Sequence, residues 1–221
     1  MWTWVVLALY VGFPLCLLRL HRTWGAVAAI AGLWLPIEFG VLQAAGVPPW
    51  MGIAVGTVAG IIAFRSRPDV FNVSAAFDLR RFSLKDAGVN FVVFAVLGLP
   101  LAVAIGFIRP SFELPELRSV PNLIATIFLF NALPEEILFR GIIQHTIETA
   151  SGSRNLSAIV AALIFGAAHL NNGLVVPNYR YFAVATLAGF FYGRAWRTHR
   201  NVLTSSVTHT MVNTVWRLFL R

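Results

Sequence analysis

Three short polar constellations interrupt otherwise apolar stretches of this chain. The run LFNALPEEILFRGIIQH sets Glu135, Glu136 and Arg140 among aliphatic and aromatic residues. LIFGAAHLNN sets His169 there, with Asn172 three residues on, and VTHTMVN sets His209 and Asn213. A charge at the centre of a bilayer costs at least about 2.5–3.5 kcal/mol on insertion scales, so such residues are rarely there without a functional return. Glu and His are also the side chains best suited to moving protons near neutral pH. That combination makes the chain look like a membrane enzyme. A proton relay for transport and a catalytically idle binding or immunity module are the alternatives.

The spacing assigns provisional roles. Pro134 lacks an N–H and suits the first position of a helix. That predicts an interruption at Pro134, with Glu135 and Glu136 in a fresh first turn where free N–H groups and the helix dipole favour a carboxylate. Burial opposes the charge, and a carboxylate balanced between the two suits a general base. Arg140 follows Glu136 by four residues, on the same face and in the favourable acid-before-base order. Glu136 is therefore expected to pair with Arg140 and serve the structure. Glu135 lies about 100° round the helix and is left for chemistry. A satisfied buried ion-pair network of all three is the bland alternative.

Phe165 and His169 stand four apart, so the ring can pack on the imidazole, and Gly166, Ala167 and Ala168 let a neighbouring helix approach. A lone His on an apolar face is usually a satisfied core residue; beside two buried Glu residues, His169 reads as part of a site. Asn172 either lines that site or caps the helix end. His209 and Asn213 share a face and could hold an oxyanion or act as interhelical glue of about 1 kcal/mol. Glu38 reads as a contact within the bundle or a substrate-path residue, and His145 as interfacial. Tyr179, Tyr181 and Tyr192 read as interface belt or packing. Two Glu and two His could also ligate zinc. No H-E-x-x-H is present, however, and the adjacent Arg140 disfavours a dication, so neither a metal nor another cofactor is expected.

The elements that must position these groups read as membrane spans. The chain of 221 residues is 58% hydrophobic and 12% charged, where a soluble domain carries about 25% charge. Segments of roughly 20 apolar residues leave room for an all-α, polytopic bundle of about eight transmembrane helices in one integral membrane domain, 1–221. The predicted spans are 2–18, 24–45, 50–64, 88–108, 121–150, 156–170, 181–196 and 201–219. Residues 77–88 read as an interfacial amphipathic helix or a solvated loop, and 108–121 as a loop. The first apolar run has no basic residues before it and reads as a retained span rather than a cleaved signal. The single cysteine, Cys16, reads as lipid-facing or packed filler.

The net charge of +8 does not point to nucleic acid, because the basic residues flank apolar runs instead of forming a stripe. One set of span ends holds Arg19, Arg22, Arg65, Arg67, Arg80, Arg81, Lys85, Arg154, Arg194, Arg197 and Arg200. The other holds Arg109, Arg118, Arg180, Arg217 and Arg221. The positive-inside rule then puts the richer set in the cytoplasm and both termini outside, given eight spans.

With these residues in view, the chain resembles the CPBP family of intramembrane glutamate-type endopeptidases, the CAAX prenyl protease, bacteriocin-processing or Abi group. The family pattern of E-E-x-x-x-R, then F-x-x-x-H, then H-x-x-x-N/D appears here as Glu135-Glu136-x-x-x-Arg140, Phe165-x-x-x-His169 and His209-x-x-x-Asn213. The resemblance covers about 121–216. It implies a water-filled cavity within the membrane, where Glu135 and His169 activate a water and His209 and Asn213 stabilise the oxyanion. Glu136 and Arg140 would brace that site. The implied partners are the lipid bilayer and a membrane-associated protein or peptide substrate, cut near its C-terminal or membrane-anchored part. The Arg-, Ala-, Val- and Leu-rich makeup suggests a bacterial plasma membrane protein, and bacteria generally lack protein prenylation, so a true prenylated substrate is less expected than a lipid-anchored tail, sorting signal or bacteriocin precursor.

Overall fold

A computed structural model describes residues 2–18, 22–65, 67–111 and 116–220. These are helical almost throughout. Among them there is no β-strand, only one isolated bridge between Pro110 and Leu220. Arg19 and Arg221, part of the charge-asymmetry reading, and 112–115 of the predicted loop lie outside the described residues. The chain divides into two compact units, 1–73 and 74–221.

The first unit packs α1 (Trp2–Leu17), α2 (Arg22–Glu38) and α3 (Pro49–Phe64) against one another, with a helical turn Val41–Ala44 between the last two. Small residues set the spacing. Gly56 faces the Tyr10 hydroxyl, and a Cβ on Gly52 would come within 3.0 Å of Leu42. The Tyr10 hydroxyl donates to the Leu33 carbonyl at 2.6 Å in a buried position, as an apolar interior requires of a phenol. Glu38 accepts from Trp34 Nε1, one turn back on its own helix, at 3.2 Å. Cys16 is exposed.

The second unit holds α4 (Leu84–Ala104), α5 (Leu117–Ser151), α6 (Arg154–Ala167), α7 (Tyr179–His199) and α8 (Val202–Phe219). Four of them start on a polar cap that satisfies an orphan N–H. Ser83 accepts from Asp86, Ser153 from Leu156, Asn178 from Tyr181 and Asn201 from Thr204. The Ser83 cap explains why 77–88 is not one amphipathic helix: a short 3₁₀ turn, Leu79–Arg81, precedes the cap and α4 begins after it. α7 lies at the centre, with α4, α6 and α8 against it. Gly166 presses on α7 so closely that a Cβ there would lie 2.8 Å from the Phe182 carbonyl oxygen and also meet Thr186 Oγ1. The small-residue approach predicted around Gly166 is therefore present.

α5 departs from expectation. The helix does not restart at Pro134 but runs on through it, with π-helical stretches Phe128–Ala132 and Ile137–Gln144 on either side of Leu133–Glu136. Proline cannot donate to the ladder and crowds the preceding turn; a wider turn accommodates both defects without a break. Glu135 and Glu136 consequently lie mid-helix, and the free first-turn N–H groups expected to favour their charge are not there.

Leu84–Ala104 and Leu117–Ser151 are long and apolar enough to cross a membrane, and Trp2–Leu17, Gly25–Glu38, Pro49–Phe64 and Arg154–Ala167 are shorter apolar helices. Only 28% of the apolar window in each of the two long helices is buried, whereas the apolar core helix of a water-soluble fold is mostly covered. Val92, Val96 and Leu97 on α4 and Ile124 and Leu129 on α5 point outward, an apolar exterior of the kind lipid covers.

Candidate active site

Within the second unit, α4, α5, α6, α7 and α8 surround a cavity of about 780 Å³. Its polar wall carries Asn131 and Glu135 from α5, His169 from just beyond α6, Tyr181 and Tyr192 from α7, and His209 and Asn213 from α8. Phe94, Leu99, Phe107, Ile127, Val212 and Trp216 supply much of the apolar wall. The three motifs, far apart in sequence, thus meet at one space.

Behind the wall, Arg140 Nε lies 3.0 Å from Glu136 Oε2, and both side chains are 0% exposed. The expected pairing of these two residues is present. The guanidinium also lies over the Phe165 ring at 4.9 Å, with Phe139 and Tyr192 at 5.9 and 5.8 Å. Aromatic faces take up positive charge that no water reaches. Glu136 does more than pair: its Oε1 accepts from His209 Nδ1 at 3.0 Å. One buried carboxylate therefore joins α5 to α8 and orients the imidazole of the third motif.

His209 is held on every side. Tyr192 stacks on it at 4.4 Å between centroids, with 15° between planes, and Phe165 meets it edge-on at 5.8 Å. Its Nε2 lies 4.0 Å from Glu135 Oε2 and 3.1 Å from Asn213 Nδ2. Asn213 Nδ2 also donates to Asn131 Oδ1 at 2.5 Å, and Asn131 Nδ2 donates to Glu135 Oε1. His169 donates from Nδ1 to the Phe165 carbonyl at 2.8 Å, which leaves Nε2 of the neutral ring as an acceptor. Its ring packs between Phe165 at 4.7 Å and Tyr181 at 4.6 Å.

Glu135, His169, His209, Asn213 and Phe165 are thus brought together, and Glu136 and Arg140 stand directly behind them. Asn172 is not brought to the cavity wall: it is exposed in the turn beyond α6, where its carbonyl accepts from Asn178 Nδ2 at 2.8 Å. His145 is not interfacial but 6% exposed, edge-on to Trp196 at 6.3 Å, because α7 packs across that end of α5. Of the two readings for Tyr192, belt or packing, the second holds: it is 1% exposed. Asn131 and Tyr192 are the site residues that spacing did not single out. The available signal for Asn131 was its position four residues before Glu135 in the same apolar run. Tyr192 had none, since its role depends on α7 crossing the cavity. Gly189 and Gly193 permit that crossing: a Cβ on Gly189 would lie 2.9 Å from Phe165 and 3.4 Å from Arg140 Nη2. Among the described residues, no group of three or more His, Cys, Asp or Glu is arranged to hold a metal ion.

Fold and site together define a helical membrane protein with a carboxylate–histidine centre inside its apolar bundle. Residues 118–215 match the family described as Type II CAAX prenyl endopeptidase Rce1-like, within the CPBP family. That segment runs from the start of α5 into α8 and contains all of the polar wall just described. No curated protein and no solved structure matches the chain. The match supports a protease-like reading of that segment.

Proposed function

We propose that this protein is a glutamate-type intramembrane endopeptidase that hydrolyses a peptide bond near the C-terminal or membrane-anchored part of a membrane-associated protein. The observation that carries this reading is the convergence of Glu135, His169, His209 and Asn213 on one cavity within the Rce1-like segment. Glu135 takes a proton from a water that His169 Nε2 helps to hold, and the water oxygen bonds to the peptide carbonyl carbon. The carbonyl electron pair moves onto oxygen, where the Asn213 NH₂ donates to the developing charge and His209 holds that amide toward it. Collapse re-forms the C=O bond and breaks the C–N bond, and the proton on Glu135 passes to the leaving nitrogen. Glu136 and Arg140 brace His209 from behind. No covalent enzyme intermediate is needed.

In this reading the chain is a single integral membrane domain, 1–221, of eight spans, multi-pass in a bacterial plasma membrane with both termini outside. The basic flanks of the apolar runs support that orientation. The substrate is a tail that reaches the cavity from the membrane, either lipid-anchored or ending in a transmembrane segment.

The test compares C-terminal peptides of membrane-fraction proteins from cells with and without the chain. A small set of proteins keeping an uncut tail in its absence is expected, and their tails would give the recognition rule. Identical profiles would overturn the protease reading. Cleavage is further expected to survive a strong zinc chelator, because both Glu136 oxygens are engaged by Arg140 and His209. Activity lost to the chelator and restored by zinc would replace this mechanism with a metal-dependent one.

A further inference from the structure

We infer that Asn131 is a positioning residue of the proposed hydrolytic site, bridging Glu135 to Asn213 and, through Asn213, setting the tautomer of His209. This rests on the catalytic reading above for its kinetic consequences, but the bridge itself is a matter of hydrogen-bond direction. An ionised carboxylate only accepts. Glu135 therefore turns the Asn131 amide nitrogen toward itself, and Asn131 Oδ1 is left facing α8. That oxygen in turn requires a donor, which fixes the Asn213 amide with Nδ2 toward it at 2.5 Å. The other N–H of the same nitrogen is directed at His209 Nε2, 3.1 Å away. Nε2 must then accept, so the ring proton sits on Nδ1, where Glu136 Oε1 receives it at 3.0 Å. A single chain of hydrogen bonds thus links Glu135 to Glu136, with an accepting carboxylate at each end and the donations diverging from the Asn213 NH₂ between them.

The consequence for chemistry lies in Asn213. An asparagine side chain can present either its NH₂ or its oxygen to a cavity, and only the NH₂ stabilises an oxyanion. Asn131 supplies the acceptor that keeps the Asn213 NH₂ on the cavity side: one N–H stays with Asn131 Oδ1, and the other, held by His209 Nε2 in the resting site, is the one an oxyanion can take. Without Asn131, the Asn213 amide is free to turn its oxygen toward the reacting carbonyl, and His209 loses the donor that reserves Nε2. The same side chain steadies Glu135 through one carboxylate oxygen, leaving Oε2 on the His209 side. Asn131 touches neither water nor substrate in this scheme; it aligns the two groups that do.

Two substitutions separate the ends of the bridge. Asn131→Leu removes both bonds. Asn131→Asp keeps an acceptor for Asn213 but replaces the donor to Glu135 with a second carboxylate. With an internally quenched peptide ending in a prenylated Cys-aliphatic-aliphatic-X sequence as the probe in detergent, both variants are expected to lose about tenfold or more in kcat, with KM little changed, as misalignment at a reacting group does. Histidine-labelled protein supplies a second readout. The nitrogen and ring-carbon signals of His209 should report the Nδ1–H tautomer in the unsubstituted protein and in Asn131→Asp, and a mixture in Asn131→Leu. A purely packing role would lower the melting temperature of both variants and leave the tautomer alone. Unchanged kcat in both variants, or an unchanged His209 signature in Asn131→Leu, would overturn the inference. Should Asn131→Leu not fold, Asn131→Asp carries the test through its kcat. If the unsubstituted protein does not cleave the probe, the catalytic reading fails for that substrate, while the His209 signature still decides whether the bridge exists.

Discussion

Glu135→Gln is expected to cut peptide hydrolysis by about 10²–10⁴-fold or more, the range that a positioned general base contributes, while the protein keeps its fold. The substitution is nearly isosteric. The Gln carbonyl oxygen still accepts from Asn131 Nδ2, as Glu135 Oε1 does. What changes is the second position, which lies 4.0 Å from His209 Nε2 and becomes an NH₂ that cannot take a proton. Glu135 is 28% exposed and at the cavity wall, and the Gln side chain keeps its bond to Asn131, so the fold is expected to hold. The check is a rate on a defined peptide in detergent beside a thermal melt of the same sample. A normal melt with cleavage near the unsubstituted rate would show that another group, His209 Nε2 being the nearest acceptor, activates the water.

The two adjacent glutamates show what was legible in the sequence and what was not. Side-chain spacing on a helix survives changes in the surroundings, so the Glu136–Arg140 pair and the Phe165–His169 contact could be read from i, i+4 spacing alone, and both occur. The reason first offered for the Glu135 charge did not survive. Pro134 was expected to open a helix, but π-helical turns carry the backbone past it, and hydrogen-bond patterns of that kind leave no period in the sequence. Contacts between helices were hidden for a different reason. That Glu136 also accepts from His209, that Tyr192 stacks on the same imidazole, and that Asn131 reaches Asn213 all depend on which faces of α5, α7 and α8 turn together. Gly166, Gly189 and Gly193 permit this close approach, yet as a sequence they say only that something comes near. Asn172 shows the reverse: nearness to His169 left a place at the site and a role at the helix end both open, and the turn beyond α6 carries it outward.

Arg140→Ala is expected to destabilise the protein by about 3–5 kcal/mol, the usual cost of removing one partner of a buried ion pair, and to abolish activity with it. Both partners are fully buried, and Arg140 lies over the rings of Phe139, Phe165 and Tyr192 as well. Alanine therefore strands a carboxylate in an apolar wall and empties the space between three aromatic rings. The damage extends to His209, because the stranded carboxylate is the one that accepts its Nδ1 proton. A melt in detergent measures the first effect, and an unchanged melting temperature would count against the ion pair. Stability and chemistry can then be separated with the double substitution Glu136→Gln, Arg140→Met. Replacing both members of a buried pair with neutral side chains of similar volume is often neutral or stabilising, so the fold should recover most of what Arg140→Ala loses. Activity should not recover in proportion, since a Gln amide can present either its oxygen or its NH₂ to Nδ1 and no longer fixes the ring proton there. Recovery of both together would mean that Glu136 and Arg140 serve only packing. Recovery of stability alone would place the pair in the electrostatics of the site, with the buried charges retained for their effect on His209.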